Sequence, residues 1–497
     1  MCDDAPVGTL DRAFERFWQT RDAGEILATR AAFAEVVERL ARGPAYGAAE
    51  TGELRWQTLP DADLPTRVVV PATYDPAQRY PVRVFLHGGL ARAPDDPARP
   101  KPLAFGDRYL AVYPQGSRQV PWWSSAQLAN LRAILDRLKR TYNVDENRVQ
   151  LVGVSDGGSA AFFVGMKDPT PWSSFVSLNG FLRVLATAST KVDGELYARN
   201  LAHRPCYVVN GEHDALYPAA AVAPYIAMLE RAGADVTFRA LAGARHDTSW
   251  WPREQPAIDA FEEAHPRDPL PAALAWETER VDRHHRIAWL VIDKLRSAAA
   301  PLDDGDPANT VDLEDARDFG LRVDSRRAAG REVVDVIAGT AAARAGLAIG
   351  DAIARMDGSD IASADDIADV LEAHTPGSPL VIEVDRRGQR MTLQASYPPV
   401  PGPPRRETVF ARTRPSGRVA VRRDGNAFVA TARCVSEFTL LLSPAVIDFA
   451  RPVTVTVDGA TVFDGMVEPS VATLLEHAAR DADRTMLFGA ELRISVP

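Results

Sequence analysis

A serine lies at the centre of the segment Gly153-Val-Ser-Asp-Gly157, which follows an apolar run and precedes a series of small residues. Such a segment is typical of a strand that turns at once into a helix and presents a serine hydroxyl at the turn. Glycines flank Ser155 because so sharp a turn leaves no room for neighbouring side chains. The hydroxyl can act as a nucleophile if a base and an orienting acid lie beside it.

An acid and a base follow Ser155 in the sequence, each after a predicted strand. Asp214 comes just after the apolar run 205–209, and His246 lies on a glycine-containing loop after the predicted strand 236–241. The serine, acid, histidine order differs from the orders of the chymotrypsin-type and subtilisin-type proteases. These three residues are therefore the candidate catalytic set.

Other residues near the same positions could take these roles. His203 and His213 are alternative bases, and Glu212 is an alternative acid. Strand-end position and a glycine-rich approach favour His246 and Asp214 over them.

A binding site for a developing oxyanion is expected upstream of Ser155. The alternating apolar residues of 82–86 predict a strand, and the glycines that follow it allow backbone N–H groups to approach a substrate. Gly89 or Leu90 would give one N–H donor, and Asp156 the other. A carboxylate at position 156 would raise the reaction barrier or reject anionic substrates, because it lies beside the site of negative charge.

With these motifs, residues 51–268 resemble an α/β-hydrolase esterase, near the polyhydroxyalkanoate-depolymerase and feruloyl-esterase branch. The resemblance rests on the His87-Gly-Gly turn, the Tyr-Pro-Gln-Gly segment 113–116, the Trp122-Trp123 pair and the Ser-Asp-Gly-Gly elbow 155–158. It implies an α/β fold, a mostly parallel sheet with helices on both faces, and ester hydrolysis without a cofactor. Many relatives carry an amide or a small residue where this chain has Asp156.

Four tryptophans and a histidine are candidates for lining a substrate cleft. They lie on predicted loops at the catalytic edge of the sheet and are His87, Trp122, Trp123, Trp250 and Trp251. Exposed indole rings would suit an aromatic acyl group or a polymer chain lying flat on them. The alternative is that members of each pair are simply core residues.

Composition sets the broad class of the protein. The 497 residues exceed what one core organises and predict two to four domains. A net charge of −10, with no basic patch, argues against nucleic-acid binding. No apolar run is long enough to span a bilayer. Neither a disulfide framework nor a metal site is indicated by the cysteines, which are Cys2, Cys206 and Cys434.

The cysteine directly after Met1 bears on localisation. Cys2 is what remains when the signal of a bacterial lipoprotein is trimmed, which predicts the cell envelope or periplasm. The alternative is a free cysteine in a cytoplasmic protein.

A second set of motifs occupies residues 311–397. Phe319-Gly320-Leu321 precedes a series ending in Ala-Gly-Leu, Ile-Gly-Asp and Met-Asp-Gly, and this series closely resembles bacterial PDZ domains. A helix is predicted to begin at Ser363, a capping residue with acids in the first turn. The resemblance implies that residues 319–321 bind the C-terminal carboxylate of a peptide. The alternative is a spacer that binds nothing or docks on the esterase.

The rest of the chain divides into three segments. Helical spacing predicts a helical extension over residues 1–50, packed on the hydrolase. Short strands between turn residues predict a β-rich domain over 405–497. Residues 269–298 are predicted to form a hairpin that belongs to this β-rich domain, with the PDZ module inserted between them.

Together the motifs predict a serine carboxylester hydrolase acting on a small-molecule or polymeric ester through an acyl-enzyme. Two other hypotheses remain. One is a serine peptidase of the same fold, because the same residues cleave amides and PDZ domains often accompany proteases. The other is a scaffold whose PDZ and β domains bind partners while the hydrolase is inactive.

Overall fold

The computed structural model describes most of the chain. The described residues are 7–58, 64–90, 102–187, 190, 192, 195–296, 306–313, 319–323, 331–375, 377–397, 405–412 and 414–497. Cys2, on which the expectation about localisation rests, lies outside them.

The helices and strands of the described residues are as follows. The helices are α1 (Val7–Thr20), α2 (Gly24–Thr29), α3 (Phe33–Arg42), α4 (Ser125–Thr141), α5 (Asp156–Lys167), α6 (Ala219–Arg231), α7 (Trp251–Ala264), α8 (Ala341–Arg344), α9 (Ala364–Ala373) and α10 (Val471–Asp481). The first strands are β1 (Gly52–Gln57), β2 (Pro65–Val70), β3 (Tyr80–Leu86), β4 (Leu110–Pro114), β5 (Val144–Val154), β6 (Ser174–Leu178), β7 (Cys206–Gly211) and β8 (Val236–Leu241). The next strands are β9 (Ala273–Thr278), β10 (Arg286–Ile287), β11 (Leu290–Leu295), β12 (Thr310–Leu313), β13 (Leu321–Val323), β14 (Val333–Val336), β15 (Ala352–Met356), β16 (Ser359–Asp360), β17 (Pro379–Arg386) and β18 (Gln389–Ser396). The last are β19 (Arg405–Thr408), β20 (Gly417–Asp424), β21 (Ala427–Arg433), β22 (Val435–Leu442), β23 (Val453–Val457), β24 (Ala460–Gly465) and β25 (Ala490–Ser495).

Among the described residues, the largest sheet has the order β1-β2-β4-β3-β5-β6-β7-β8. Strands β1 and β2 are antiparallel to their neighbours, and β3 to β8 run parallel. This is the mostly parallel α/β sheet that the sequence predicted, called the hydrolase sheet below after that expectation, and two large apolar clusters lie against its strands. Because the carboxyl ends of parallel strands share one edge, the loops after β3, β5, β7 and β8 converge there.

The helices that cover this sheet begin where local signals place them. Ser124 caps α4, and its side chain accepts the N–H of Gln127 at 3.3 Å. Apolar residues of α4 at helical spacing, among them Leu131, Ile134 and Leu138, are buried on one face. Residues of α5 are almost all buried, which fits a helix packed directly behind the strand that carries Ser155.

The described residues of 319–397 lie in the chain between β11 and β20 and form strands β13 to β18 with helices α8 and α9. Strands β13 and β14 pair, and β16-β15-β17-β18 form an antiparallel sheet around its own apolar cluster. Helix α9 begins after Ser363, as predicted, with a capping box in which Ser363 and Asp366 satisfy each other's backbone N–H groups.

The described residues that follow form two sheets around a common core. One sheet has the order β24-β23-β21-β20-β9, and the other has the order β10-β11-β22-β25. Strand β9 pairs with β20, and β11 pairs with β22. The strands in 269–298 therefore join the C-terminal strands, but β9 and β11 lie in different sheets. The expectation that they form one hairpin was wrong, because alternation identifies a strand and not its partner.

The N-terminal helices pack differently from the expectation. Apolar residues of α1, α2 and α3 form a cluster with Leu474, Leu475 and Ala478 of α10, in the C-terminal part of the chain. Their link to the hydrolase is polar, for example Arg21 with Asp136 on α4 at 2.8 Å. Amphipathic spacing predicts that a face is buried, and it does not say against which surface.

Candidate active site

Ser155 lies in a strained turn between β5 and α5. Its backbone φ of 54° and ψ of −115° are rarely adopted by a residue with a side chain. A Cβ on Gly153 would lie 1.9 Å from the carbonyl oxygen of Gly157, and one on Gly157 would lie 2.0 Å from that of Leu86. Only glycine fits at either position, so the two glycines permit the turn that aims the Ser155 hydroxyl out of the sheet edge.

Asp214 follows β7 and is held by its own turn. Its Oδ1 accepts the backbone N–H groups of Leu216 and Tyr217 at 2.9 and 2.8 Å. The remaining oxygen, Oδ2, lies 2.7 Å from Nδ1 of His246. The carboxylate is buried, and these three contacts fix its direction.

His246 lies on the loop after β8 and joins the other two residues. Its Nε2 is 3.1 Å from Oγ of Ser155. Because Nδ1 carries the proton and donates it to the Asp214 carboxylate, Nε2 is unprotonated and its lone pair faces the serine hydroxyl. The arrangement can take a proton from Ser155 and return it to a leaving group.

The predicted oxyanion donors lie beside Ser155, and one of them already has an acceptor. The N–H of Leu90 donates to Oδ2 of Asp156 at 2.9 Å. Gly89 adopts a left-handed φ of 64°, which turns the chain after β3 toward the sheet edge. The N–H of Asp156 lies in the first turn of α5, where no intrahelical acceptor exists. The Asp156 carboxylate therefore already accepts the Leu90 N–H, which is one of the candidate donors of an oxyanion site.

His87 supports the loops around this site. Its Nε2 accepts the N–H of Gly116 at 3.0 Å, so Nδ1 carries the proton and donates to the carbonyl of Gly88 at 2.8 Å. Its own carbonyl accepts the indole N–H of Trp122 at 2.8 Å. These bonds tie the loop after β3 to the loop after β4.

The four tryptophans do not form an exposed aromatic wall. Trp122, Trp123, Trp250 and Trp251 are 1%, 3%, 6% and 5% exposed and lie in the two core clusters of the hydrolase sheet. This corrects the expectation of an aromatic cleft. An indole ring buries a large apolar area, and packing against the sheet outweighs exposure at the cleft.

The two alternative bases and the alternative acid lie outside the hydrogen-bond chain of Ser155. His203 bonds to the carbonyl of Ala275 on β9, and burial lowers its pKa to about 4. Glu212 and His213 are exposed. The structure brings only Asp214 and His246, of these five residues, into the hydrogen-bond chain with Ser155.

The predicted peptide-binding residues lie close to the acid loop of the hydrolase. Phe319 and Leu321 are buried in an apolar cluster that also contains Ala215, the neighbour of Asp214. Gly320 has a φ of 82°, and a Cβ there would lie 2.0 Å from Oγ1 of Thr340. Only glycine fits at position 320, and part of the apolar surroundings of residues 319–321 comes from the hydrolase.

A family model described as "PDZ domain" matches residues 311–396. These residues form a PDZ domain. No protein of curated function matches the chain.

Solved structures of esterases are similar to part of the chain. A thermostable esterase is 22% identical, with a TM-score of 0.34, over 43% of this chain and 63% of that one, less than two thirds of its length. Esterase 2 from the Planctomycetes species Thermogutta terrifontis is 17% identical in its apo form, with a TM-score of 0.33, over 44% of this chain and 96% of that one. Its propionate-bound form is 15% identical, with a TM-score of 0.33, over 44% and 94%.

Contacts from two PDZ-domain residues at the site were not predicted from the sequence. Glu372, in the last turn of α9 in the PDZ domain, accepts the backbone N–H of His246 at 3.0 Å. Arg322 of the same domain lies over the rings of Phe181 and Tyr217, at 4.8 and 5.5 Å from their centres. No local signal predicts these contacts, because only the docking of two units creates them.

Among the residues that the structure describes, no group of three or more His, Cys, Asp or Glu side chains could hold a metal ion. No helix in those residues combines the length and the apolar character needed to cross a bilayer.

Proposed function

We propose that the chain is a serine carboxylester hydrolase that works through an acyl-enzyme intermediate. The observation that carries the proposal is the continuous hydrogen-bond chain from Ser155 Oγ through His246 to Asp214, with lengths of 3.1 and 2.7 Å. A serine hydroxyl is a weak nucleophile at neutral pH and needs an adjacent, oriented base. The strained backbone of Ser155 supports the same role, since such strain clusters at functional sites.

The proposed reaction has two stages. Ser155 Oγ bonds to the ester carbonyl carbon while its proton passes to Nε2 of His246, and Asp214 stabilises the imidazolium. The bond to the alcohol oxygen then breaks, and that oxygen takes the proton from His246. Water next attacks the acyl carbon, giving its proton to His246, and the carboxylic acid leaves as Ser155 is reprotonated.

We propose that the tetrahedral oxyanion is held by the N–H of Asp156 together with that of Gly89 or Leu90. The start of α5 favours negative charge near the Asp156 N–H. The Asp156 carboxylate opposes stabilisation of the oxyanion, because it accepts the Leu90 N–H and places a second negative charge beside the oxyanion. Neutral esters are therefore the preferred substrates in this proposal.

The proposed substrate is a small-molecule or polymeric ester. Because the tryptophans are buried, a preference for aromatic acyl groups has no exposed wall to support it and is not part of the proposal. A serine peptidase of the same fold is the alternative enzyme, since the same side chains cleave amides. The alternative that is not an enzyme is a scaffold whose PDZ and β domains bind partners.

Purified chain assayed on 4-nitrophenyl butyrate and on a peptide 4-nitroanilide tests the proposal. We expect hydrolysis of the ester, much faster than that of the anilide, and a fall in kcat of at least about a thousandfold in Ser155→Ala. Ser249→Ala, which removes an exposed hydroxyl on the loop of His246, is the matched control and should leave kcat unchanged. Faster anilide cleavage would favour the peptidase, and equal rates in wild type and Ser155→Ala would favour the scaffold.

A further inference from the structure

The PDZ domain contacts the loop that carries the candidate base. We propose that Glu372 of this domain is a positioning residue for His246, so that the docked PDZ domain is a working part of the hydrolase site. The inference rests on the proposed function and adds to it a residue from a second domain.

Glu372 contacts the backbone of His246, the candidate base. Glu372 Oε1 accepts the N–H of His246 at 3.0 Å, and Oε2 lies 3.8 Å from the Arg245 guanidinium. The side chain of Glu372 is 19% exposed, so solvent competes weakly for this bond. A hydrogen bond with a charged partner is about twice as strong as a neutral one.

The loop after β8 needs such a restraint. It passes through Gly243, which has a φ of 70° and open space where a Cβ would lie. The carbonyl of Ala244 accepts a bond from the acid loop, and that of Asp247 accepts one from Asn179 at 2.8 Å. Between these two anchors the bond to Glu372 fixes the backbone of His246 itself.

The Glu372 carboxylate is partly buried and needs its hydrogen bond with His246. Burial and the nearby Asp214 carboxylate raise the pKa of Glu372 above its usual value, while the bond from His246 lowers it. A carboxylate in such surroundings is costly unless hydrogen bonds compensate it. The N–H of His246 provides this compensation, so the two domains stabilise one geometry together.

Other contacts hold the PDZ domain against the hydrolase near the acid loop. Arg183 of the hydrolase pairs with Asp335 of the PDZ domain at 2.9 Å. Arg322 lies over the ring of Tyr217, just after the acid. Ala215 belongs to the apolar cluster of the PDZ domain. Docking therefore brings the PDZ domain into contact with the acid loop and places Glu372 beside the base loop.

Three variants of the full chain test the inference. Glu372→Ala removes the acceptor, and Glu372→Gln keeps an oxygen that can accept the same N–H. Glu383→Ala is the matched control, because Glu383 is a partly exposed acid of the same domain that pairs with Arg390. We expect Glu372→Ala to lower kcat about tenfold with KM within about twofold, since one charged hydrogen bond that orients the base is lost. Glu372→Gln and Glu383→Ala should stay close to wild type.

Hydrogen exchange of the His246 amide gives a readout that does not depend on turnover. We expect exchange in the peptide spanning 242–250 to be about tenfold faster in Glu372→Ala, and unchanged in Glu383→Ala. Unchanged kcat or unchanged exchange in Glu372→Ala overturns the inference, and so does a loss in Glu372→Gln as large as in Glu372→Ala. If wild type is no faster than Ser155→Ala on esters, the proposed function fails, and exchange alone then decides whether Glu372 orders the loop.

Discussion

At the scale of single residues, the candidate site depends on where strands end. Ser155, Asp214 and His246 follow β5, β7 and β8, whose carboxyl ends share one edge. Each was predictable from its local strand-then-loop pattern, because parallel strands bring such loops together. Glu372 was not, since it lies 126 residues beyond His246 and meets it only through docking of the PDZ domain.

Asp156 offers a test of charge at the oxyanion site. Asp156→Asn keeps an oxygen that can accept the Leu90 N–H and removes the negative charge. We expect the ratio of kcat/KM for a succinate half-ester to that for the butyrate ester to rise about tenfold, because like-charge repulsion is relieved. The measurement is a pair of progress curves for each enzyme. An unchanged ratio would mean that the Asp156 carboxylate does not face the acyl group.

At the scale of helices and strands, the sequence predicted where α4 and α9 begin. It did not predict which elements pack against one another. Ser124 and Ser363 mark the starts of α4 and α9 because capping is a property of neighbouring residues. The pairing of β9 with β20 and the packing of α1 on α10 depend on distant surfaces. The same holds for the tryptophans, whose burial is decided by packing rather than by sequence position.

His203, at the end of the 3₁₀ helix Ala198–His203 that packs on β9, makes the free energy of unfolding depend on pH. The pKa of His203 is lowered to about 4 by burial, and the nearby guanidinium of Arg204 adds to this shift. An unfolded histidine titrates near 6.5, so the unfolded chain takes up a proton that the folded chain does not. Stability from this group is complete above pH about 6.5 and is lost as the pH falls toward about 4.

We therefore expect wild type to lose more free energy of unfolding than His203→Gln between pH 7 and pH 4, by about 3 kcal/mol. Glutamine can still donate to the carbonyl of Ala275 and carries no titrating group. Urea unfolding of both proteins at the two pH values gives the difference. Equal losses would show that His203 has the same proton affinity in both states.

At the scale of the whole molecule, buried ion pairs link the segment between α10 and β25 to the hydrolase. Arg484 pairs with Glu146 of β5 at 2.5 Å, and Arg267 pairs with Asp483 at 2.6 Å. Breaking a buried pair leaves an uncompensated charge and is strongly destabilising. These pairs lie near the start of β5, whereas the PDZ domain contacts the loop of His246 at the opposite, carboxyl edge that carries Ser155. The division of the chain into domains stays a prediction.

The most direct test of the proposed function is labelling of the intact chain with a fluorophosphonate, followed by peptide mass spectrometry. Such probes phosphonylate a serine only where a neighbouring base activates it. The account predicts one label per chain, on Ser155, and none on Ser155→Ala or His246→Ala. An unlabelled wild type, or a label on another serine, would contradict it.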